Sequence, residues 1–267
     1  MHIELIGCTS AGKTTLARKI VDVGKRDGID IILGDDFVLQ RFHLNRIKNE
    51  FVRRRLMEIC AGYISIRHWK KYRQFCRFVF GVAMRTPGSW FYKLNLIRIV
   101  LRKIGIYEMI RSFGSENQLI LVDNEGIVQA AHNLFVHTNS RLNGNLSTFI
   151  KAAPLPDMIA YLWQPESVLL ERTLRRGHPR IHERSELKVQ FFVEQAIETF
   201  EKLKTLPQIA EKLLMIDGQN KSVTKNPSGN GSLANQVYDL LSKSIKDDHN
   251  EGKPPLRRST AAHVRLL

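Results

Sequence analysis

Cysteine is scarce in this 267-residue chain, and over one long stretch so are acids. The three cysteines, Cys8, Cys60 and Cys76, are too few and too scattered for a disulfide framework or a thiolate metal site. A reducing cytoplasm is therefore the expected setting. No run of 18 or more residues is continuously apolar, so no membrane-spanning helix is expected. Glu4 interrupts the first apolar run, which is not read as a signal peptide. No internal repeat is present. Between Arg41 and Arg111 only Glu50, Glu58 and Glu108 face 17 Lys and Arg, a net +14 out of +15 for the whole chain. The basic excess belongs to one region and needs its own explanation.

What is there begins with MHIELIGCTSAGKTTLARKIV. Residues 2–6 read as a short buried strand and 13–26 as a helix with Leu16, Ala17, Ile20 and Val21 on one side. Between them, Gly7, Cys8, Thr9, Ser10, Ala11, Gly12, Lys13 and Thr14 fit G-x-x-x-x-G-K-[ST] without a mismatch, and Thr15 follows. Each position has a chemical reason. Gly7 and Gly12 let backbone N–H groups turn inward as a nest for phosphate oxygens. Lys13 is placed for the β- and γ-phosphates, and Thr14 offers a hydroxyl to Mg²⁺. The helix adds the positive end of its dipole. ATP or GTP with Mg²⁺ is the expected ligand.

Further strands are expected at 29–37, 118–126, 156–164 and 212–217, with helices at 127–136, 165–176 and 185–205. Strand–helix alternation with apolar strands predicts an α/β fold, a three-layer doubly wound parallel sheet with a helical insertion. Residues 1–40 and 114–245 would form the core. Residues 41–113 would be a basic helical insertion split in two at Pro87-Gly88. Residues 225–232 read as a linker and 234–245 as a closing helix. Residues 246–267 read as a disordered basic tail.

Three more pieces surround the loop in this reading. LVDNEG ends a strand on Asp123, a candidate for the Mg²⁺ shell, with Glu125 two residues on as a candidate activator of a nucleophile. Either acid could instead cap the next helix. GDDF places Asp35 and Asp36 at the end of the second strand, where such sheets bind ligands. Asp36, anchored by Phe37, is the preferred acceptor of a proton from an attacking hydroxyl, a solvated turn being the alternative. ERTLRRGHPRIHER carries Arg172, Arg176 and Arg180, which as a mobile lid would set charge over a transferring phosphoryl group. The histidines at 132, 137, 178 and 182 are read as surface or packing residues.

GCTSAGKTT, LVDNEG, PDMIAYLWQPESVLLERTLRRG and MIDGQN together resemble the phosphate-loop nucleoside and nucleotide kinases, the thymidylate-kinase-like group most closely. DDF is similar to the acidic-aromatic strand end of uridine-kinase-like enzymes. The resemblance covers about 150 residues and implies ATP-dependent phosphoryl transfer. It puts Asp217 and Gln219 near the adenine and Arg172 and Arg176 on the phosphates. Where thymidylate kinases carry Asp-Arg-Tyr/Phe after the central strand, this chain has Asp123-Asn124-Glu125-Gly126. The acceptor is therefore left as a small-molecule hydroxyl or phosphate.

The basic insertion interleaves arginine and lysine with aromatics, among them Trp69, Phe80, Trp90 and Phe91. It fits a solvated helical subdomain, a peripheral surface for anionic membrane or a lipid-linked substrate, or, less well, a nucleic-acid groove. The alternative to a kinase is an NTPase that couples hydrolysis to a membrane or polyanion partner through this segment.

Overall fold

A computed structural model describes residues 1–115, 118–136, 145–177, 185–218 and 239. Five strands, β1 (His2–Ile6), β2 (Ile31–Leu33), β3 (Leu119–Val122), β4 (Met158–Trp163) and β5 (Leu213–Asp217), form one sheet in the order β2-β3-β1-β4-β5. Every pairing is parallel. The helices are α1 (Lys13–Arg26), α2 (Gly34–Arg41), α3 (Glu50–Arg67), α4 (Trp69–Arg85), α5 (Trp90–Phe113), α6 (Ala130–Phe135), α7 (Leu146–Ala152), α8 (Glu166–Arg176), α9 (Glu186–Lys204) and α10 (Pro207–Ala210).

Side chains alternate across a strand, and the core shows that both faces of the sheet are covered. Ile31, Leu119 and Leu121 belong to a large cluster with residues of α1, α4, α8 and α9. Ile32, Ile120 and Val122 point the other way, into a smaller cluster with Phe37 and Val38 of α2, Met57 and Ala61 of α3, and Met109 and Ile110 of α5. This is the three-layer, doubly wound parallel sheet expected from the sequence.

The basic stretch is built into the same core. Val100 and Ile104 of α5 and Phe75 and Val79 of α4 lie in the large cluster, while Ile106 of α5 lies in the smaller one. Buried Glu108 of α5 ties the helices together, accepting hydrogen bonds from Lys71 and Tyr72 of α4. Burial pushes its carboxyl up, but those two donors and the nearby charges of Lys71 and Arg111 outweigh burial and hold it below its ordinary value.

Several boundaries differ from expectation. The second strand ends at Leu33, not at residue 37. Asp35 and Asp36 lie in the first turn of α2, where carboxylates favour the positive helix end. Residues 41–113 hold three long helices instead of two, because the chain also turns at His68, whose Nδ1 meets the Ile64 carbonyl at 3.0 Å. The helix expected at 127–136 is confined to Ala130–Phe135, and α7 and α10 were not anticipated. The linker 225–232 and tail 246–267 lie outside the described residues, as does all of the closing helix but Asp239. Among the described residues no helix is long and apolar enough to cross a membrane.

Candidate functional site

The loop between β1 and α1 is held in the shape its glycines allow. Gly7 has φ 147° and Gly12 φ 99°, and Ser10 joins them at φ 67°. A Cβ on Gly7 would stand 2.6 Å from the Leu162 carbonyl oxygen of β4, so backbone approach as well as φ excludes other residues there. Gly12 is the N-cap of α1 and leaves the first N–H groups of the helix without a side-chain cap. That is the arrangement that receives an anion.

A buried polar relay supports the loop from beneath. Glu4, fully buried in β1, accepts hydrogen bonds from the backbone N–H groups of Val128 (3.1 Å) and Gln129 (2.6 Å). Gln129 in turn accepts from Gly7 N–H through Oε1 and donates to Gly7 carbonyl through Nε2, both at 3.1 Å. Burial pushes Glu4 up to about 7 against the pull of these donors and of Lys103. Thr9 Oγ1 lies 3.2 Å from Nε2 of His132, a buried ring packed edge-on to Phe192 and stacked on Phe200. His132 is thus a packing histidine that also steadies the loop.

Lys13 is buried, and its Nζ donates to the carbonyls of Gly7 and Cys8, both at 2.9 Å. Burial lowers its pKa to about 8, with Cys8 and Asp123 opposing. Asn124 donates through Nδ2 to Thr14 Oγ1 (3.0 Å) and to Asp123 Oδ2 (2.8 Å), which joins the two candidate metal ligands. Among the described residues no three His, Cys, Asp or Glu converge to hold a metal by themselves. Thr14 and Asp123 suit Mg²⁺, which takes one or two protein oxygens, waters and substrate phosphates. Thr15 points from α1 into solvent.

Arg172 of α8 reaches over the loop, its Nη1 3.5 Å from the carbonyls of both Ser10 and Ala11. Thr173 donates to Ser10 Oγ at 3.1 Å. The positive charge of Arg176 is felt at Lys13. Asp217 closes β5, paired with Trp163 of β4, at the same end of the sheet. Arg180 and Gln219 lie outside the described residues, as do His137, His178 and His182.

Beyond the end of β3, carboxylates meet α5. Arg102 bridges Glu125 (3.2 Å) and Glu58 (3.4 Å), and buried Lys103 donates to the Asn124 carbonyl. Burial lowers the Lys103 pKa, with Glu125 and Glu4 opposing. The Asp35 carboxyl of α2 senses this cluster. The surrounding protein raises it to about 6 although it keeps access to solvent, and the charges of Glu125 and Asp123 push the same way against Arg102. Asp36 is the next residue along the helix and, like Asp35, is exposed.

Sequence reading missed Glu4, Gln129, Asn124, Arg102 and Lys103 as site residues. Glu4 had a signal: a carboxylate inside an otherwise apolar strand must find donors. Arg102 and Lys103 had none, since two basic residues among 17 do not announce which of them turn inward.

The chain matches no protein-family model and no curated protein sequence. Among solved structures it is similar to deoxyadenosine kinase from M. mycoides with products dCMP and a flexible dCDP bound, at 12% identity and a TM-score of 0.44 over 92% of this chain and 100% of that one. It is also similar to shikimate kinase from Acinetobacter baumannii in complex with shikimate, at 13% identity and a TM-score of 0.37 over 95% of each. Both are kinases.

Proposed function

We propose that the protein is an ATP- and Mg²⁺-dependent kinase that phosphorylates a small-molecule hydroxyl or phosphate. One observation carries this reading. The phosphate loop, the Thr14–Asn124–Asp123 link, Arg172, Asp35 and Glu125 all lie at the carboxyl end of one parallel sheet, and Asp35 senses the charges of Asp123 and Glu125. The loop amides, Lys13 and Arg172 would hold a nucleoside triphosphate. Thr14 and Asp123 would hold its Mg²⁺. When bound, MgATP supplies the phosphoryl group and a divalent charge.

The chain's own residues do the rest. Asp35, with a pKa near 6, is ionised at neutral pH and suited to take the proton of an acceptor hydroxyl. Asp36, one residue on, is its understudy from the same helix turn. Arg102 holds Glu125 in place and brings positive charge from α5 to the acceptor side. Arg172 and Arg176 add charge where the transferring group becomes more anionic.

The test is ATP turnover with Mg²⁺ against a library of nucleosides, sugars and lipid-linked glycans. One acceptor should stimulate ADP release with stoichiometric phosphorylated product. Hydrolysis that no acceptor stimulates, but that vesicles or polyanions do, would replace this reading with a partner-driven NTPase.

A further inference from the structure

The three long basic helices each leave a side that the core does not use. On α3 the inner side is Met57, Ala61 and Ser65, all buried. Val52, Ile59, Tyr63 and Ile66 recur at i, i+7, i+11 and i+14 on the opposite side. All four are exposed, Ile59 by 66% and Ile66 by 67%. On α4, Arg73, Arg77 and Phe80 fall at i, i+4 and i+7, and all three face solvent. Trp90, Phe91 and Leu94 are exposed at the start of α5, Phe91 by 82%. A soluble surface rarely shows so many large apolar side chains on consecutive helices without a partner for them.

Charge decides what the partner is. The segment bearing these residues carries +14. A second copy of the chain would bring two such surfaces together. The chain's own residues 240–267 carry a further net +3 and are repelled in the same way. The partner must be anionic. Nucleic acid offers phosphates and base faces, which suit arginine and flat aromatic rings but give isoleucine and valine stripes nothing to bury into. An anionic bilayer offers both, headgroup phosphates for the basic residues and acyl chains for Ile59, Ile66 and Phe91.

We propose that the outward face of α3, α4 and the start of α5 docks on an anionic lipid bilayer, with the Val52–Ile66 stripe entering the headgroup layer and Arg73 and Arg77 meeting the headgroups. The face adjoins the candidate site. A groove of ≈ 220 Å³ between α3 and α5 is lined by Gly62, Leu94, Ile97 and Leu101 and includes Arg102, the residue that also holds Glu125. The docking does not depend on the kinase reading, because none of the membrane-facing residues belongs to the phosphate site.

The experiment is co-sedimentation of the full chain with vesicles of phosphatidylcholine, with and without phosphatidylglycerol, as sodium chloride is raised. Binding is expected only to the phosphatidylglycerol vesicles and should fall with salt. I59E/I66E and, separately, R73E/R77E should each weaken vesicle binding about tenfold or more. Both should keep the wild-type melting temperature, since these side chains are exposed. Three results would overturn the proposal. One is no binding to phosphatidylglycerol vesicles at low salt, and another is undiminished binding by I59E/I66E. The third is a wild-type dimer that I59E/I66E turns into a monomer, which assigns the stripe to a second copy of the chain.

Discussion

Asp35 and Glu4 are both acids held above their ordinary values, solvent-exposed Asp35 by the protein around it and neighbouring carboxylates and Glu4 by full burial, and the two shifts have different consequences. Asp35 opens on the site. If it takes the acceptor's proton, it works only when ionised, so kcat/KM should rise with pH through about 6 and then level off. Asp35→Asn should lose that acidic limb and about 10²–10⁴-fold in kcat. A variant with wild-type rate and the same limb would move the role to Asp36 or Glu125. Glu4 reaches no substrate, and its shift is a stability effect. The folded state holds this proton up to about 7, against an ordinary 4.5 in the unfolded chain. Its contribution is therefore complete below about 4.5 and is lost as pH rises through about 7, amounting to about 3 kcal/mol. Denaturant midpoints measured from acid to neutral pH should fall in the wild type relative to Glu4→Gln. Parallel curves would mean that Val128, Gln129 and Lys103 hold Glu4 ionised throughout.

Helix α5 is the element on which the Glu125 end of the candidate site depends, because it carries Arg102 and Lys103 and crosses α3 at close range. That crossing is fixed by Gly105. A Cβ there would stand 2.0 Å from the Ala61 carbonyl oxygen and 2.7 Å from the Ala61 Cα of α3, and helical backbone cannot yield as a side-chain tip can. Gly105→Ala gains helix propensity, yet it should destabilise the protein by about 1–3 kcal/mol or more through overpacking. It should also reduce activity, since pushing α5 outward draws Arg102 from Glu125. A melting temperature at or above the wild-type value would show that the two helices slide apart freely. This crossing also marks the limit of what the sequence discloses. The strands 118–126, 156–164 and 212–217 were legible because apolar runs ending in Asp, Gln or Gly mark buried parallel strands on their own. GCTSAGKT was legible because its spacing is dictated by local backbone chemistry. The turn at His68 and the confinement of β2 to three residues were not. Each is set by what packs against the segment: Glu108 bonding Lys71 and Tyr72 in one case, Phe37 and Val38 entering the smaller core in the other. Sequence reasoning prefers Asp36 for its neighbour Phe37, but both aspartates lie in the first turn of α2 instead of at a strand end. In a strand the two would face opposite sides; in the first turn of α2 the direction of each follows the helix.

At the scale of the whole molecule, the candidate site is assembled from segments far apart in the chain. The strand order brings residues 7–14, 123–125 and 172 to one end of the sheet, with β1 central between β3 and β4. Such a site couples ligand binding to global folding, because the unfolded chain has no nest and no aligned Thr14 and Asp123. A ligand that binds only the folded state stabilises it in proportion to the logarithm of its concentration over Kd. At about 100-fold excess over Kd the gain is about 2.7 kcal/mol, or about 5–10 °C in melting temperature for a chain of this size. ATP with Mg²⁺ should produce that rise. ATP with EDTA should produce a smaller one, because the Thr14 and Asp123 oxygens then face the phosphates without a cation between them. Lys13→Ala should lose most of the rise in both conditions. It should also begin from a somewhat lower melting temperature, since Nζ is the donor that satisfies the Gly7 and Cys8 carbonyls. Asp123→Asn should remove only the difference between magnesium and EDTA. This double comparison separates triphosphate held by the loop from metal held beside it. Equal stabilisation of wild type and Lys13→Ala would place nucleotide binding elsewhere and leave the loop a structural turn.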